Sequence, residues 1–409
     1  MADQTFVIAG ANLTGGRAAE ALRKEGFDGR VVLIGAEPDP PYERPPLSKE
    51  YLRGQVPREK IFIHKPGFYE EQRIELRLGV RATGLDLQER AVELEGGERI
   101  AFDRLLLATG GRPRRLAAPG SDLDGIYELR TVADSERIAA QLQPGRRLVV
   151  IGAGFIGAEV AASARMQGLD VTVLEMSPVP LGRALGEEMG RLYGEIHREH
   201  GVELLTGEAI DRFEGSGRVE RVVGASGRAI DCDFVVVGVG IEPATELAEQ
   251  AGLAVENGIV VDEYAETSVA GVFAAGDVAR FYHPVLQERL RVEHWANAQN
   301  QGVLAAKNML GRREAYVEIP WFWSDQYDLN LQYVGHASSW DEIVMRGDVA
   351  GRKFTAFYLK DGRLRAALAL NRFKDIRPSR ELIKLGVAVE AAKLRDDGVE
   401  LKSLIPVSE

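Results

Sequence analysis

Residues 148–159 read LVVIGAGFIGAE, a β-branched run that feeds a complete G-x-G-x-x-G at Gly152, Gly154 and Gly157. The helical run AEVAASARMQG follows, and a second apolar run, DVTVLE, ends on Glu175. Such a turn lets backbone N–H groups approach a pyrophosphate with the positive end of a helix behind them, and the terminal carboxylate accepts hydrogen bonds from ribose hydroxyls. Residues 7–16, VIAGANLTGG, nearly repeat the pattern with Gly10 and Gly15, but Asn12 stands where the middle glycine belongs, and the following run RVVLIGAE ends on Glu37. Asn tolerates unusual backbone angles and its amide can donate to a phosphate oxygen, so we expect this turn to be weakened without being abolished. One glycine turn is a weak signal and admits a strand–helix corner with no ligand. Two whole units with terminal glutamates are a strong one.

The elements that must position these turns are legible around them. FDRLLLATG (102–110) and DFVVVGVG (233–240) each read as an apolar strand closing on a small glycine-ended turn, the last strand of each nucleotide unit. SVAGVFAAGDVA (268–279) supplies another strand ending on Gly276 and Asp277, so the first unit resumes after the second has been inserted. GGRPRRLAAPG (110–120) suits the crossover between them. From about Pro320 short alternating runs separated by Gly and Asp-Gly turns predict antiparallel sheet, closed by helical segments such as SRELIKLGVA (379–388). The fold class expected is α/β, with two Rossmann-like dinucleotide-binding domains and a C-terminal α+β domain.

With 409 residues and ordinary apolar content, the chain is long enough for two or three domains with their own cores. Its net charge of −11 disfavours nucleic acid and anionic membranes as partners. No apolar run is long enough for a membrane span and no cationic segment precedes the first strand, so a cytoplasmic protein is expected. Cys232 is the only cysteine, which removes disulfide frameworks, cysteine-rich metal sites and a redox C-x-x-C pair; at the start of DCDFVVVG it reads as a small buried hydrophobe. No metal site is expected.

Five further stretches stand in order along the chain: PYERPPLSKEYLRG (41–54), LLLATGGRPRRL (105–116), GVFAAGDVA (271–279), VEHWANAQNQG (292–302) and PWFWSDQYD (320–328). Over essentially the whole length they resemble the NADH-dependent ferredoxin reductases of bacterial oxygenase systems, the putidaredoxin reductase and biphenyl dioxygenase reductase type of glutathione-reductase-like flavoprotein. The resemblance implies that residues 1–110 and 241–319 are two segments of an FAD-binding domain, 111–240 an NAD-binding domain, and 320–409 a C-terminal domain covering the flavin. It implies that Gly10, Asn12, Leu13, Thr14 and Gly15 carry the FAD pyrophosphate and Glu37 its adenosine ribose. Arg44, Pro45 and Lys49 would reach the pyrophosphate and flavin, and Val80 would meet the adenine by its backbone. Ala108, Thr109, Gly110, Arg130, Gly276 and Asp277 would also contact FAD.

Glu293, His294 and Trp295 would sit in the first turn of a helix aimed at the flavin pyrimidine, with His294 a flavin neighbour and not a general base, or else a capping or core residue. On the other unit Gly152, Gly154, Phe155, Ile156 and Gly157 would carry the NAD pyrophosphate, with Gly238 and Gly240 in the facing turn. Glu175 would disfavour the 2′-phosphate of NADP, although Arg183 is the type of residue that receives one. The resemblance also selects Lys49, Glu159 and Trp323 for catalysis: a cation beside flavin N5 and O4, the carboxylate that holds it, and an aromatic neighbour. The plainer readings are surface charges for Lys49 and Glu159, and sheet core for Trp321 and Trp323.

Residues 38–54 contain no cysteine, so electrons must leave from the flavin directly, which suits a one-electron iron–sulfur acceptor. Lys374, Arg377, Arg380 and Lys384 cluster in an otherwise acidic protein and could steer an acidic ferredoxin, or simply form a solvated helix end. The function expected is hydride transfer from NADH to FAD, then single electrons to a ferredoxin that feeds a monooxygenase or dioxygenase. A rubredoxin reductase, an NADH oxidase or quinone-reducing flavoprotein, and a flavoprotein like apoptosis-inducing factor remain alternatives.

Overall fold

The computed structural model describes residues 3–406. Parallel pairing organises its first three quarters. The strand Thr5–Ala9 lies between Arg30–Gly35 and Arg104–Leu107, with Ile74–Leu78 and Val272–Ala274 outside them, in a five-stranded parallel sheet. A second five-stranded sheet copies it: Arg147–Ile151 lies between Asp170–Glu175 and Phe234–Val237, flanked by Glu203–Thr206 and Ile126–Glu128. Both central strands are buried on both faces, which is why they read as unbroken apolar runs and not as alternation. Arg104–Leu107 and Phe234–Val237 hold equivalent places in the two sheets. Neither is the last strand, because Val272–Ala274 and Ile126–Glu128 pair outside them. The two chain crossings, Gly111–Pro113 and Ile241–Pro243, pair with each other as an antiparallel ribbon.

The C-terminal part is an antiparallel five-stranded sheet made by Trp321–Gln326, Leu329–Gly335, Glu342–Asp348, Lys353–Lys360 and Arg363–Leu370. Alternation along its strands supplies two apolar faces. Leu331, Phe354, Ala356 and Tyr358 face Leu185, Met189 and Tyr193 of the long helix Gly182–Glu199, which belongs to the second nucleotide unit. Val334, Phe357 and Ala367 face Ile376, Leu382 and Ile383 of the helix Ile376–Leu385. The sheet is therefore clamped between its own helix and a neighbour's. Close packing needs a kink: Gly186 interrupts the long helix at φ +81°, and a Cβ there would come within 2.5 Å of the Trp340 ring. Tyr358 donates its hydroxyl to the Leu185 carbonyl beside that kink, at 2.8 Å.

Three element boundaries differ from the sequence expectation. The C-terminal helix spans Ile376–Leu385 and not 379–388, since Pro378 falls within the first turn, where its missing N–H has no helical partner to lose, and Gly386 ends the helix at φ +61°. The helix expected to include Glu293 in its first turn begins at Trp295 after His294 in the N-cap position, leaving Glu293 outside. Glu37 stands two residues beyond the strand Arg30–Gly35, in the loop. Among the described residues no helix is long and apolar enough to cross a membrane.

Candidate active site

The glycine turns are built by collisions that any side chain would cause. A Cβ on Gly10, which lies at φ +131°, would strike the Ala108 carbonyl, and one on Gly15 would strike the Gly10 carbonyl. In the second unit a Cβ on Gly152, at φ +93°, would stand 2.6 Å from the Gly238 carbonyl oxygen, and Gly157 is pressed onto Gly152 in the same way. Gly154 is different: its φ is −72° and the protein comes no nearer than 3.9 Å, so nothing within the chain demands glycine there.

Asn12 occupies the corresponding place at an ordinary φ of −115°. Its Oδ1 accepts from Gly15 N at 3.3 Å and its Nδ2 donates to the Ala108 carbonyl at 2.6 Å. Asn12 therefore gives the turn two hydrogen bonds of its own. The amide caps the helix Leu13–Lys24 and ties its start to the end of a neighbouring strand, with one of its two N–H donors committed to the protein.

The starts of both helices open on one cavity of about 1030 Å³ including its mouth. Asn12, Leu13 and Thr14 line it from the first unit, and Phe155, Ile156 and Glu159 from the second. The loop residues Arg44, Pro45 and Lys49 form a third wall, Gly110, Arg130 and Asp277 a fourth, and Glu293, His294, Trp295 and Trp323 close it. Gly10, Gly15, Ala108, Gly152, Gly154, Gly157, Gly238 and Gly240 build the turns without lining this cavity, and neither do Val80, Thr109 and Gly276. Thr109 donates to the Ala244 carbonyl at 2.6 Å, Gly276 donates its N–H to Gln301 at 2.8 Å, and Val80 donates its N–H to the Gly35 carbonyl at 3.0 Å.

Lys49 and Glu159 meet inside. Their Nζ to Oε2 distance is 2.7 Å and both residues are at most 5 % exposed, which removes the reading of separate surface charges. Ser48 Oγ also donates to Glu159 Oε2, at 2.5 Å, and Ser324 Oγ donates to Oε1 at 2.7 Å, so both carboxylate oxygens are engaged. Sequence reasoning missed both serines; a hydroxyl has no spacing signature until the chain folds.

The remaining polar residues pair locally. Arg44 donates to Glu37 at 2.7 Å and to the Tyr42 hydroxyl at 2.9 Å, and Tyr42 donates to Glu37. Arg130 pairs with Asp277 at 2.8 Å. Glu175 accepts from Ala153 N in the glycine turn and from Ser177 N, each at 2.7 Å, so it braces the turn it follows. Arg183 is exposed at the start of the long helix.

Aromatic rings floor the cavity. His294 packs on Phe322 with ring centroids 4.5 Å apart, and its Nδ1 is buried without a partner. Burial holds that imidazole down at about 4. Trp323 stacks on Trp321 at 5.4 Å and meets Trp295 edge-on at 5.6 Å, while Trp295 donates its indole N–H to Glu43. Trp321 and Trp323 are half-buried and so are not enclosed core residues.

Residues 4–302 match the family model described as pyridine nucleotide-disulphide oxidoreductase, and residues 321–405 the model described as reductase C-terminal. The chain belongs to the pyridine nucleotide-disulphide oxidoreductase family. It is 41 % identical to the ferredoxin–NAD(+) reductase component of the anthranilate 1,2-dioxygenase system of Burkholderia cepacia, over 99 % of this chain and 100 % of that one. It is 39 % identical to the corresponding component of the biphenyl dioxygenase system of Paraburkholderia xenovorans, over 98 % of each. Its fold superposes with a TM-score of 0.96 on putidaredoxin reductase in a covalent complex with putidaredoxin, at 37 % identity and 99 % coverage of each chain. Despite the family's name, no disulphide chemistry is available here: Cys232 is 2 % exposed and burial pushes its thiol up to about 12.

The basic residues of the C-terminal helix lie outside the cavity. Lys374, Arg377 and Lys384 are exposed and Arg380 is half-buried, and Arg377, Arg380 and Lys384 follow the spacing of one helical face. Phe373 and Leu385, each about half exposed, flank them.

His294 generates a pH prediction. An unfolded imidazole titrates near 6.5 and the buried one near 4, so the unfolded chain binds the extra proton between these values. Stability is unaffected above about pH 6.5 and falls as pH drops from there towards 4, by up to about 1.4 kcal/mol per unit. Urea unfolding of the parent and of His294→Gln at pH 7, 6 and 5 is expected to give a flatter dependence in the variant. Equal slopes would mean that the native imidazole takes up its proton just as the unfolded one does, and would overturn this expectation.

Proposed function

We propose that this protein is an FAD-containing NADH:ferredoxin reductase of an oxygenase system, working in the cytoplasm where NADH is regenerated, a placement that cell fractionation would test. The observation that carries the reading is the buried Lys49–Glu159 pair at the wall of a cavity that both glycine turns open onto. The cavity suits FAD by its polar lining: the start of the helix Leu13–Lys24 and Arg130 face an anionic pyrophosphate, and the unpartnered His294 Nδ1 is left for a polar group. FAD, when bound, supplies the chemistry that accepts a hydride from NADH and releases single electrons to a one-electron acceptor.

The chain's own residues do the rest. Lys49 would present its ammonium to the bound group, where it would stabilise negative charge developing on reduction, and Glu159 keeps that ammonium from swinging away. The helix that starts at Trp295 offers its free N–H groups and positive end to the same purpose. Phe155, Phe322 and Trp323 exclude water. Glu37 and Glu175 meet the two adenosine riboses, and Arg183 is too exposed to outweigh Glu175 in choosing between NADH and NADPH. With no reactive thiol to relay electrons, a one-electron acceptor would have to take them from the bound group directly, and Trp323 is an aromatic ring lining that cavity. An acidic ferredoxin is steered to the rim formed by Lys374, Arg377, Arg380 and Lys384.

Three outcomes are expected. In anaerobic stopped-flow at saturating NADH, Lys49→Ala slows flavin reduction on the order of a hundredfold with FAD retained, and Glu159→Ala does so less; reduction at the parent rate would make Lys49 a structural residue. Glu175→Ala lowers the preference for NADH over NADPH by roughly tenfold in kcat/KM, and an unmodified enzyme that uses both equally would end this assignment. Arg377→Glu with Lys384→Glu raises the KM for ferredoxin several-fold and blunts its salt dependence, leaving NADH reduction of the flavin untouched. Unchanged ferredoxin kinetics would put the docking site elsewhere.

A further inference from the structure

Behind Glu159 the hydrogen bonds continue. Ser324 Oγ, which donates to Glu159 Oε1, is itself 3.2 Å from Gln326 Nε2. Gln326 Oε1 is 3.0 Å from His197 Nε2, and His197 Nδ1 is 2.9 Å from the Tyr327 hydroxyl. Ser324, Gln326 and His197 are all at most 3 % exposed. Each link has one consistent polarity. A carboxylate only accepts, so Ser324 donates to it; Ser324 then accepts from the Gln326 amide N–H, whose carbonyl takes the proton of His197 Nε2. The bare Nδ1 accepts from Tyr327.

The chain's far end is held at a cost. Tyr327 lies at φ +60°, an unfavourable region for a bulky side chain, in the two-residue turn between Trp321–Gln326 and Leu329–Gly335. In that conformation its hydroxyl reaches His197 while its ring stacks on His200, with centroids 3.6 Å apart. Burial holds the His197 imidazole down at about 4, in keeping with a neutral ring.

We propose that His197 and Gln326 are positioning residues of the hydride-transfer site: the one-way chain Tyr327, His197, Gln326, Ser324 holds the Glu159 carboxylate aimed at Lys49. This rests on the reductase reading above. The chain draws one residue pair from the second nucleotide unit and three residues from the C-terminal sheet, so the seating of that sheet sets the charge beside the cofactor. The neighbouring charges are few: Lys49 faces Glu159, and His200 is the titratable group next to His197.

The test compares His197→Leu, Gln326→Leu and the conservative His197→Gln, which retains an N–H donor, in the FAD-loaded enzyme. The two leucine variants are expected to lower the limiting rate of flavin reduction about tenfold with the Kd for NADH unchanged, and His197→Gln to recover most of the rate. In a Glu159→Gln background the same changes are expected to add nothing, because the group they act through is gone. Ser324→Ala, the smallest change, covers the case in which a leucine variant does not fold. An independent readout is 15N NMR of histidine-labelled enzyme, expected to show His197 as the neutral Nε2–H tautomer in the parent and a changed tautomer in Gln326→Leu. Equal losses with and without Glu159, or an Nδ1–H tautomer in the parent, would overturn the proposal. A parent flavin that NADH does not reduce would instead defeat the reductase reading, leaving the tautomer measurement to judge the chain.

Discussion

A lysine and a glutamate buried together are the constraint on which the rest of this structure turns. Taking either charge out of water alone costs several kcal/mol or more, and pairing offsets that only when the remaining lone pairs and protons are satisfied. Here they are satisfied from three directions. Lys49 comes from the loop between the strands Arg30–Gly35 and Ile74–Leu78 of the first sheet and also donates to the Pro45 carbonyl at 3.1 Å; Glu159 comes from the helix of the second unit; Ser324 comes from the C-terminal sheet. No two of these parts could complete the site, so the three must be docked for the pair to be tolerable.

The docking has its own physical basis. The C-terminal sheet is apolar on both faces, and one face has no cover within its own segment of chain; it is covered by the long helix of the second nucleotide unit, through Leu185, Met189 and Tyr193. Burial of that face supplies the driving force, and the kink at Gly186 lets Trp340 and Tyr358 approach closely enough to make it specific. The same contact brings His197, on the helix, against Gln326 and Tyr327 on the sheet. Hydrophobic docking and polar alignment are two sides of one interface. A second buried network, Arg346 and Arg372 around Asp375, anchors the C-terminal chain beneath the exposed basic residues.

The difference between Gly154 and Asn12 shows how a motif can be misread from its letters. Gly10 and Gly15 are required by the protein's own backbone, so their absence would disqualify a turn. The middle position is not so required: Gly154 has free space around it, and Asn12 uses that space to cap a helix and reach Ala108. A departure from the pattern that reads as a weakness is a structural contact, visible only when the neighbouring strand end is in place.

The sequence by itself determined the features that depend on local geometry: two strand–turn–helix units, the glycines that close them, the glutamates that follow, a sheet of alternating residues after Pro320, and the lack of usable thiol chemistry. Each follows from the backbone angles and side-chain periodicity of a short stretch. Helix ends were less legible, because Pro378 is acceptable in a first turn and Glu293 reads equally well inside or outside a helix. Lys49 and Glu159 could be named only through a resemblance, since nothing in their own neighbourhoods separates them from solvated charges. Their burial, the serines that satisfy them and the line of residues leading to His197 were decided by tertiary structure alone. Apart from the Gln326–Ser324 link, these contacts join residues 110 to 165 positions apart, and a hydrogen bond of that span leaves no trace in the spacing of letters.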